Sequence, residues 1–153
     1  MPVRSLLELR REGVVIQEWD TSCGAAALAT VLTHTYRDPV PEKTVARGML
    51  RRTDPLRVKV RGGFSLLDMK RYAESRGYAA VGYRNLVLED VATMRSPIVV
   101  IDEYGDPHFV VVRSIHAGRV HLADPAFGNR SMSVERFRDV WKEGIGFVIS
   151  RKD

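Results

Sequence analysis

The chain has 153 residues, 44% of them hydrophobic, a formal net charge of +5 and a single cysteine. That is the length of one domain with enough apolar material for a packed core, and a lone thiol excludes an internal disulfide framework. No apolar run approaches the roughly 20 residues that cross a bilayer, and no basic-then-apolar segment opens the chain, so neither a membrane span nor a secretory signal is expected within it.

Taken in order, "SLLELRREG" (Ser5 to Gly13) has helical spacing and reads as a short N-terminal helix or arm, after which "GVVIQ" looks extended. Thr21 and Ser22 are N-cap candidates for an alanine-rich apolar run that continues to about His34, a first long helix. "PEKTVARGMLRR" (Pro41 to Arg52) opens with proline and acid and spaces Val45 and Met49 as a second helix would. The basic stretch "RRTDPLRVKVRGG" (Arg51 to Gly63) has no interleaved aromatics, which points to a solvated face or a dock for an acidic partner and away from nucleic acid. "SLLDMKRYAESRG" (Ser65 to Gly77) has a serine start, Leu66, Met69 and Ala73 on one face and a glycine stop.

The period then changes. "YAAVGY", "SPIVVID", "HFVVVRSI", "RVHLAD" and "GIGFVIS" are short strands separated by turn residues, with "EYGDP" and "HAGR" as hairpin connections. "LVLEDVATM" predicts a lesser helical turn and "SVERFRDVW" a short helix that interrupts the sheet. Helices first and an antiparallel sheet second make an α+β fold.

Cys23 stands at the start of the apolar helix, where unpaired N–H groups and the positive end of the helix dipole favour a thiolate. A small thiol there is either packing or a nucleophile. A nucleophile needs a base, and His34 falls at the far end of that helix, while His116 and His121 flank the "AGR" turn with no third ligand spaced for a metal. His108 opens the most apolar strand, rigidly held at a sheet end, as a base or as a structural histidine. Asp124 ends the next strand, and in an antiparallel hairpin the start of one strand lies beside the end of the other, so the two become neighbours. Asp102 and Asp106 are nearer in sequence but fall at a strand end and in a turn. Gln17, six residues before the cysteine, can fold back to donate to an oxyanion beside the sulfur.

The ordered set Gln17, Cys23-Gly24 with "AAALATVL", "HFVVV" at His108 and "DPA" at Asp124 resembles the C39 peptidases, papain-like proteases that remove double-glycine leader peptides from exported peptides. "GGFSLLDMKRYAESRGYAA" and "SPIVVID" are similar to that family's pattern as well, so the resemblance covers nearly all of residues 1–153 as a single domain, with residues 1–13 as its arm. It implies a papain-like fold with N-terminal helices packed on a C-terminal antiparallel sheet. It implies Cys23 as nucleophile, His108 as general base, Asp124 as its orienting carboxylate and Gln17 in the oxyanion hole, with no cofactor and no metal. Most members precede membrane helices and a nucleotide-binding domain; neither is expected here, and the resemblance is strongest to stand-alone members of functional-amyloid secretion systems. That implies a peptide or protein substrate of a secretion system, no nucleic-acid partner, possible association with an export machinery, and a periplasmic site with the signal peptide outside this sequence, the alternative being cytoplasmic. Two other classes remain: a transglutaminase-like acyltransferase, which also orders Cys, His and Asp, and a non-cleaving module that docks a leader or fibre subunit.

Overall fold

The computed structural model describes residues 5–16, 23–54, 56 and 65–152. The first helix, α1 (Leu6–Arg11), is closed by a reciprocal capping box between Ser5 and Glu8 and buries none of its side chains. It is held from outside its own length: the Asn129 side-chain amide donates to the carbonyls of Leu9 and Glu12, and Gly128, at φ +86°, lies against the Arg10 backbone where a Cβ would collide. The segment Val14 to Ile16 is irregular and not a strand. Val14 is buried in the core and the Val15 N–H donates to Thr30 Oγ1 at 3.0 Å, so it runs along the next helix.

That helix, α2 (Cys23–Thr30), continues as a π-helical turn over Val31–Thr35. Ala25, Ala26, Ala27, Leu28 and Ala29 are all at 0% exposure, which explains why the segment carries no polar stripe: a helix apolar all round belongs inside. Its small side chains let α3 (Glu42–Leu50), α4 (Leu66–Ser75) and the sheet close in on it. Ser65 and Asp68 form the capping box that starts α4, with Ser65 N–H to Asp68 Oδ2 at 2.8 Å.

Six antiparallel strands follow: β1 (Tyr78–Tyr83), β2 (Ile98–Ile101), β3 (His108–His116), β4 (Arg119–Asp124), β5 (Gly128–Ser133) and β6 (Trp141–Arg151). Their order across the sheet is β1-β6-β2-β3-β4-β5. Two short helices, α5 (Leu88–Ala92) and α6 (Val134–Val140), lie between strands in the chain. All four residues of β2 are buried, as a central strand covered on both faces requires.

Two apolar clusters occupy the two faces. One joins α2, α3 and α4 to Ile98, Val111, Ala123, Phe147 and Ile149; the other joins α5 and α6 to Val99, Ile101, Val110, Val112, Val120 and Leu122. The alternation along β3, Phe109 and Val111 to the first and Val110 and Val112 to the second, is the period-2 rule of a strand. The sequence expectations of an α+β chain, of the helices and of five strands agree with this architecture. Strand β5 is the addition: "GNRSMS" carries no β-branched or aromatic residue, and it pairs because the loop after Asp124 turns it back on β4 in register Asp124↔Gly128.

Candidate functional site

The hairpin between β3 and β4 turns on Ala117 and Gly118, both at positive φ (51° and 73°), the two-residue turn whose twist matches its strands. From that turn the register runs back to Val111↔Ala123, which sets Asp124 level with Val110, two residues along β3 from His108 and on the same face. His108 Nε2 donates to Asp124 Oδ2 at 3.1 Å. The Asp124 side chain is fully buried and that of His108 is 17% exposed.

Asp124 is saturated with donors. Oδ1 accepts from the Ala126 N–H at 2.8 Å, and Oδ2 also accepts from Arg130 Nε at 3.0 Å. Burial alone would push the Asp124 carboxyl upward; the His108 hydrogen bond and charge, the Ala126 N–H and the Arg130 guanidinium together hold it below the usual carboxylate range. Burial likewise pulls the His108 imidazole down, but its bond to Asp124, that carboxylate's charge and a backbone hydrogen bond at Asp106 outweigh it, so the ring titrates above its ordinary value. An imidazole so biased is readily protonated and rigidly aimed.

Arg130, at the Leu122↔Arg130 position of β5, reaches back past Asp124 to Glu103 in the β2–β3 connection, with Nη1 to Oε2 at 3.2 Å and a shorter Nη2 to Oε1 bond. Arg136 of α6 stands 4.0 Å from the same Glu103, whose carboxyl is held low first by the Arg130 hydrogen bond. Neither Arg130 nor Glu103 is apparent from residue types alone. The signal in the sequence is the "DPAFG" loop, a tight connection that sets Arg130 beside Asp124 once the residues after it pair back on β4.

On the other side of the sheet end stands α2, whose first residue is Cys23. Gly24 packs on the ring of Phe109, the neighbour of His108; a Cβ on Gly24 would sit 3.4 Å from Phe109 Cδ2 and from Met69 Sδ. The opening turn of α2 and the first residue of β3 are thus brought to one end of the sheet. Gln17 and the N-cap candidates Thr21 and Ser22 lie outside the described residues, as does most of the basic stretch from Arg51 to Gly63. His34 falls in the π-helical turn at the opposite end of α2, and His116 and His121 stack on each other with ring centroids 6.4 Å apart at the far end of the hairpin. No cluster of three or more metal-ligating side chains occurs among the described residues.

The chain as a whole is similar to known proteins. The probable functional amyloid protease FapD of Pseudomonas aeruginosa is 41% identical over 148 residues, covering 96% of this chain and 64% of that protein. The protein of the same name in Pseudomonas fluorescens is 42% identical over the same shares, so the chain spans just under two thirds of the length of these relatives. Among solved structures, a double glycine motif protease from an AMS/PCAT transporter, crystallised with its leader peptide, superposes with a TM-score of 0.75 at 26% identity over 91% of each chain. The peptidase domain of Streptococcus ComA, a bifunctional ABC transporter of a quorum-sensing pathway, shares the fold at TM-score 0.71 and 22% identity, over 91% of this chain and 98% of that one. The sequence profile of the Peptidase C39 family matches residues 11–153, and the chain belongs to that family.

Proposed function

We propose that the chain is a cysteine endopeptidase that cuts a leader or exported polypeptide after two small residues, in a secretion system that handles a functional amyloid. The observation that carries this reading is the His108–Asp124 hydrogen bond at the sheet end on which the head of the Cys23 helix packs. Cys23, as thiolate, attacks the scissile carbonyl carbon, and the resulting oxyanion accepts from the Cys23 N–H and the Gln17 amide. The protonated His108 then gives its proton to the leaving amine as the C–N bond breaks, leaving a thioester. A water attacks that thioester, losing its proton to His108, and the carbon–sulfur bond breaks to return the thiolate. Asp124 holds the ring by Nε2 throughout, which leaves Nδ1 for the sulfur and the substrate. The upward displacement of the His108 titration suits this cycle, because the first proton donor must be charged near neutral pH.

The family and the names of the relatives support the substrate class: the AMS/PCAT protease was crystallised with a leader peptide and bears the double-glycine name, and FapD is named for functional amyloid. The 153 residues act as one domain, residues 1–13 forming its arm, and the domain works in the periplasm on a substrate delivered to an export machinery. No described helix is long and apolar enough to cross a membrane. The basic stretch from Arg51 to Arg61 serves to dock an acidic leader.

The test is a peptide carrying Gly-Gly or Gly-Ala before the scissile bond, followed by mass analysis of the products. Two hydrolysed fragments are expected, none from Cys23→Ala, and none when the residue before the bond is leucine. An amine-transferred product would move the chain to the acyltransferases, and binding without products to the docking modules; equal cutting of the leucine peptide would remove the small-residue specificity.

A further inference from the structure

We infer that the Arg130–Glu103 pair is a positioning device for the same site, fixing Asp124 Oδ2 and setting how firmly that oxygen holds the His108 proton. It rests on the reading of His108 as the acid–base group of a peptidase. One oxygen serves two donors. His108 Nε2 and Arg130 Nε both donate to Asp124 Oδ2, at 3.1 and 3.0 Å, so these nitrogens are no more than about 6 Å apart and compete for the same charge.

Left alone, Arg130 would swing its fork fully onto Asp124 and leave little for the imidazole. Glu103 prevents this by engaging both terminal nitrogens of the guanidinium, a bidentate grip that pins the fork while Nε and one edge remain on Asp124. The Phe127 ring, 5.5 Å from the guanidinium carbon, covers it, and the Ala126 N–H holds the other carboxylate oxygen. Glu103 also belongs to the connection that leads into His108, so the pair ties the start of β3 to β5 across the carboxylate between them.

Among the described residues, the charges acting on His108 come from Asp124 of β4, Arg130 of β5 and Glu103 of the β2–β3 connection, with Arg136 of α6 behind Glu103, and the Asp106 backbone adds a hydrogen bond. Asp102, Tyr104 and Asp106 lie in the same β2–β3 connection, and Cys23 opens α2.

The two members of the pair must therefore act on His108 in opposite directions. Arg130→Gln removes a cation that opposes imidazolium and releases the Glu103 charge; the His108 titration rises by about one pH unit, as expected for one charge at this separation in a partly screened site. Glu103→Gln leaves the cation uncompensated and free to claim Oδ2, and the titration falls by a similar amount. Arg130→Lys restores the charge without the fork, so it returns the titration to within about 0.3 units of the parent while kcat stays low, because a single ammonium does not fix the carboxylate.

The measurement is the 15N-detected NMR titration of the His108 ring, made in a Cys23→Ala background so that the ring titrates without its sulfur partner. A parallel series with Cys23 present reads the alkaline limb of kcat/KM against pH, where the imidazolium donor is lost. Opposite displacements for Arg130→Gln and Glu103→Gln establish the device. Displacements of the same sign, or none above about 0.3 units, overturn it, since a pair that merely braces the fold lowers stability in both variants without splitting their titrations. The ring titration needs no substrate: a parent chain that cuts no peptide defeats the peptidase reading and leaves this result standing, and the reverse outcome is equally distinct.

Discussion

Asp124→Asn preserves the shape of the side chain and removes its charge at the most enclosed polar position of the site. The carboxylate is fully buried and accepts from His108 Nε2, Arg130 Nε and the Ala126 N–H, at 3.1, 3.0 and 2.8 Å. A carboxamide has one oxygen to offer. Turned toward Ala126 it points an NH2 at two further donors, and turned toward His108 it leaves the Ala126 N–H facing its own hydrogens. Breaking a buried charge pair from one side costs about 3–5 kcal/mol, and the lower end applies because Glu103 continues to compensate Arg130. Urea unfolding followed across pH supplies the assay. The Asp124 carboxyl sits below its ordinary 3.8, so its share of the stability is present above that pH and is lost as the pH falls through the folded value. His108 sits above 6.5, so its share is complete below that pH and is lost as the pH rises through its folded value. The gap between parent and variant is therefore widest at mildly acidic pH and closes toward strong acid. On the alkaline side it closes only in part, since Arg130 stays charged. A variant within about 0.5 kcal/mol of the parent at every pH would refute the account of Asp124 as the anchor of the site.

Two further outcomes are expected. Gly48→Ala should destabilise by about 1–2 kcal/mol in thermal unfolding: the roughly 1 kcal/mol gained in helix propensity is outweighed by a Cβ placed 2.6 Å from Cδ2 of the buried Tyr72, and a stabilised variant would contradict this packing. Gln17→Ala should leave iodoacetamide alkylation of Cys23 almost unchanged, because that reaction forms no tetrahedral oxyanion, while peptide cleavage loses about 10²–10³ in kcat; equal slowing of both would withdraw the oxyanion role.

Much of this arrangement is legible in the residues because it depends on local chemistry. The helices from Glu42 and Leu66 follow from apolar spacing and, for the latter, a serine cap, and the approach of Asp124 to His108 follows from a turn between two β-branched strands. What escapes is non-local. The strand carrying Arg130 is polar and short, and only its pairing with β4 makes it a strand, so the partner on the far side of Asp124 has no signature of its own. The segment Val14 to Ile16 misleads in the other direction: its β-branched residues suit a strand, but Val14 is buried in the core and the Val15 N–H is taken by a threonine of α2.

The two halves of the candidate machinery are supported by different layers of the fold. The Cys23 helix is buried in the cluster built from α2, α3, α4 and one face of the sheet, whereas Val110 and Leu122, beside His108 and Asp124, belong to the cluster under α5 and α6. Strand β3 is common to both, with Phe109 against Gly24 on one side and Val110 in the second cluster on the other. The separation between the head of α2 and the start of β3 is therefore set at one strand, where two close-packed layers meet, and a packing defect in either layer displaces one of them while leaving the other in place. Burial of Asp124 in the second layer follows from the same division of labour. The carboxylate that holds the ring is thereby kept in a dry, donor-rich setting, with no side-chain exposure to water.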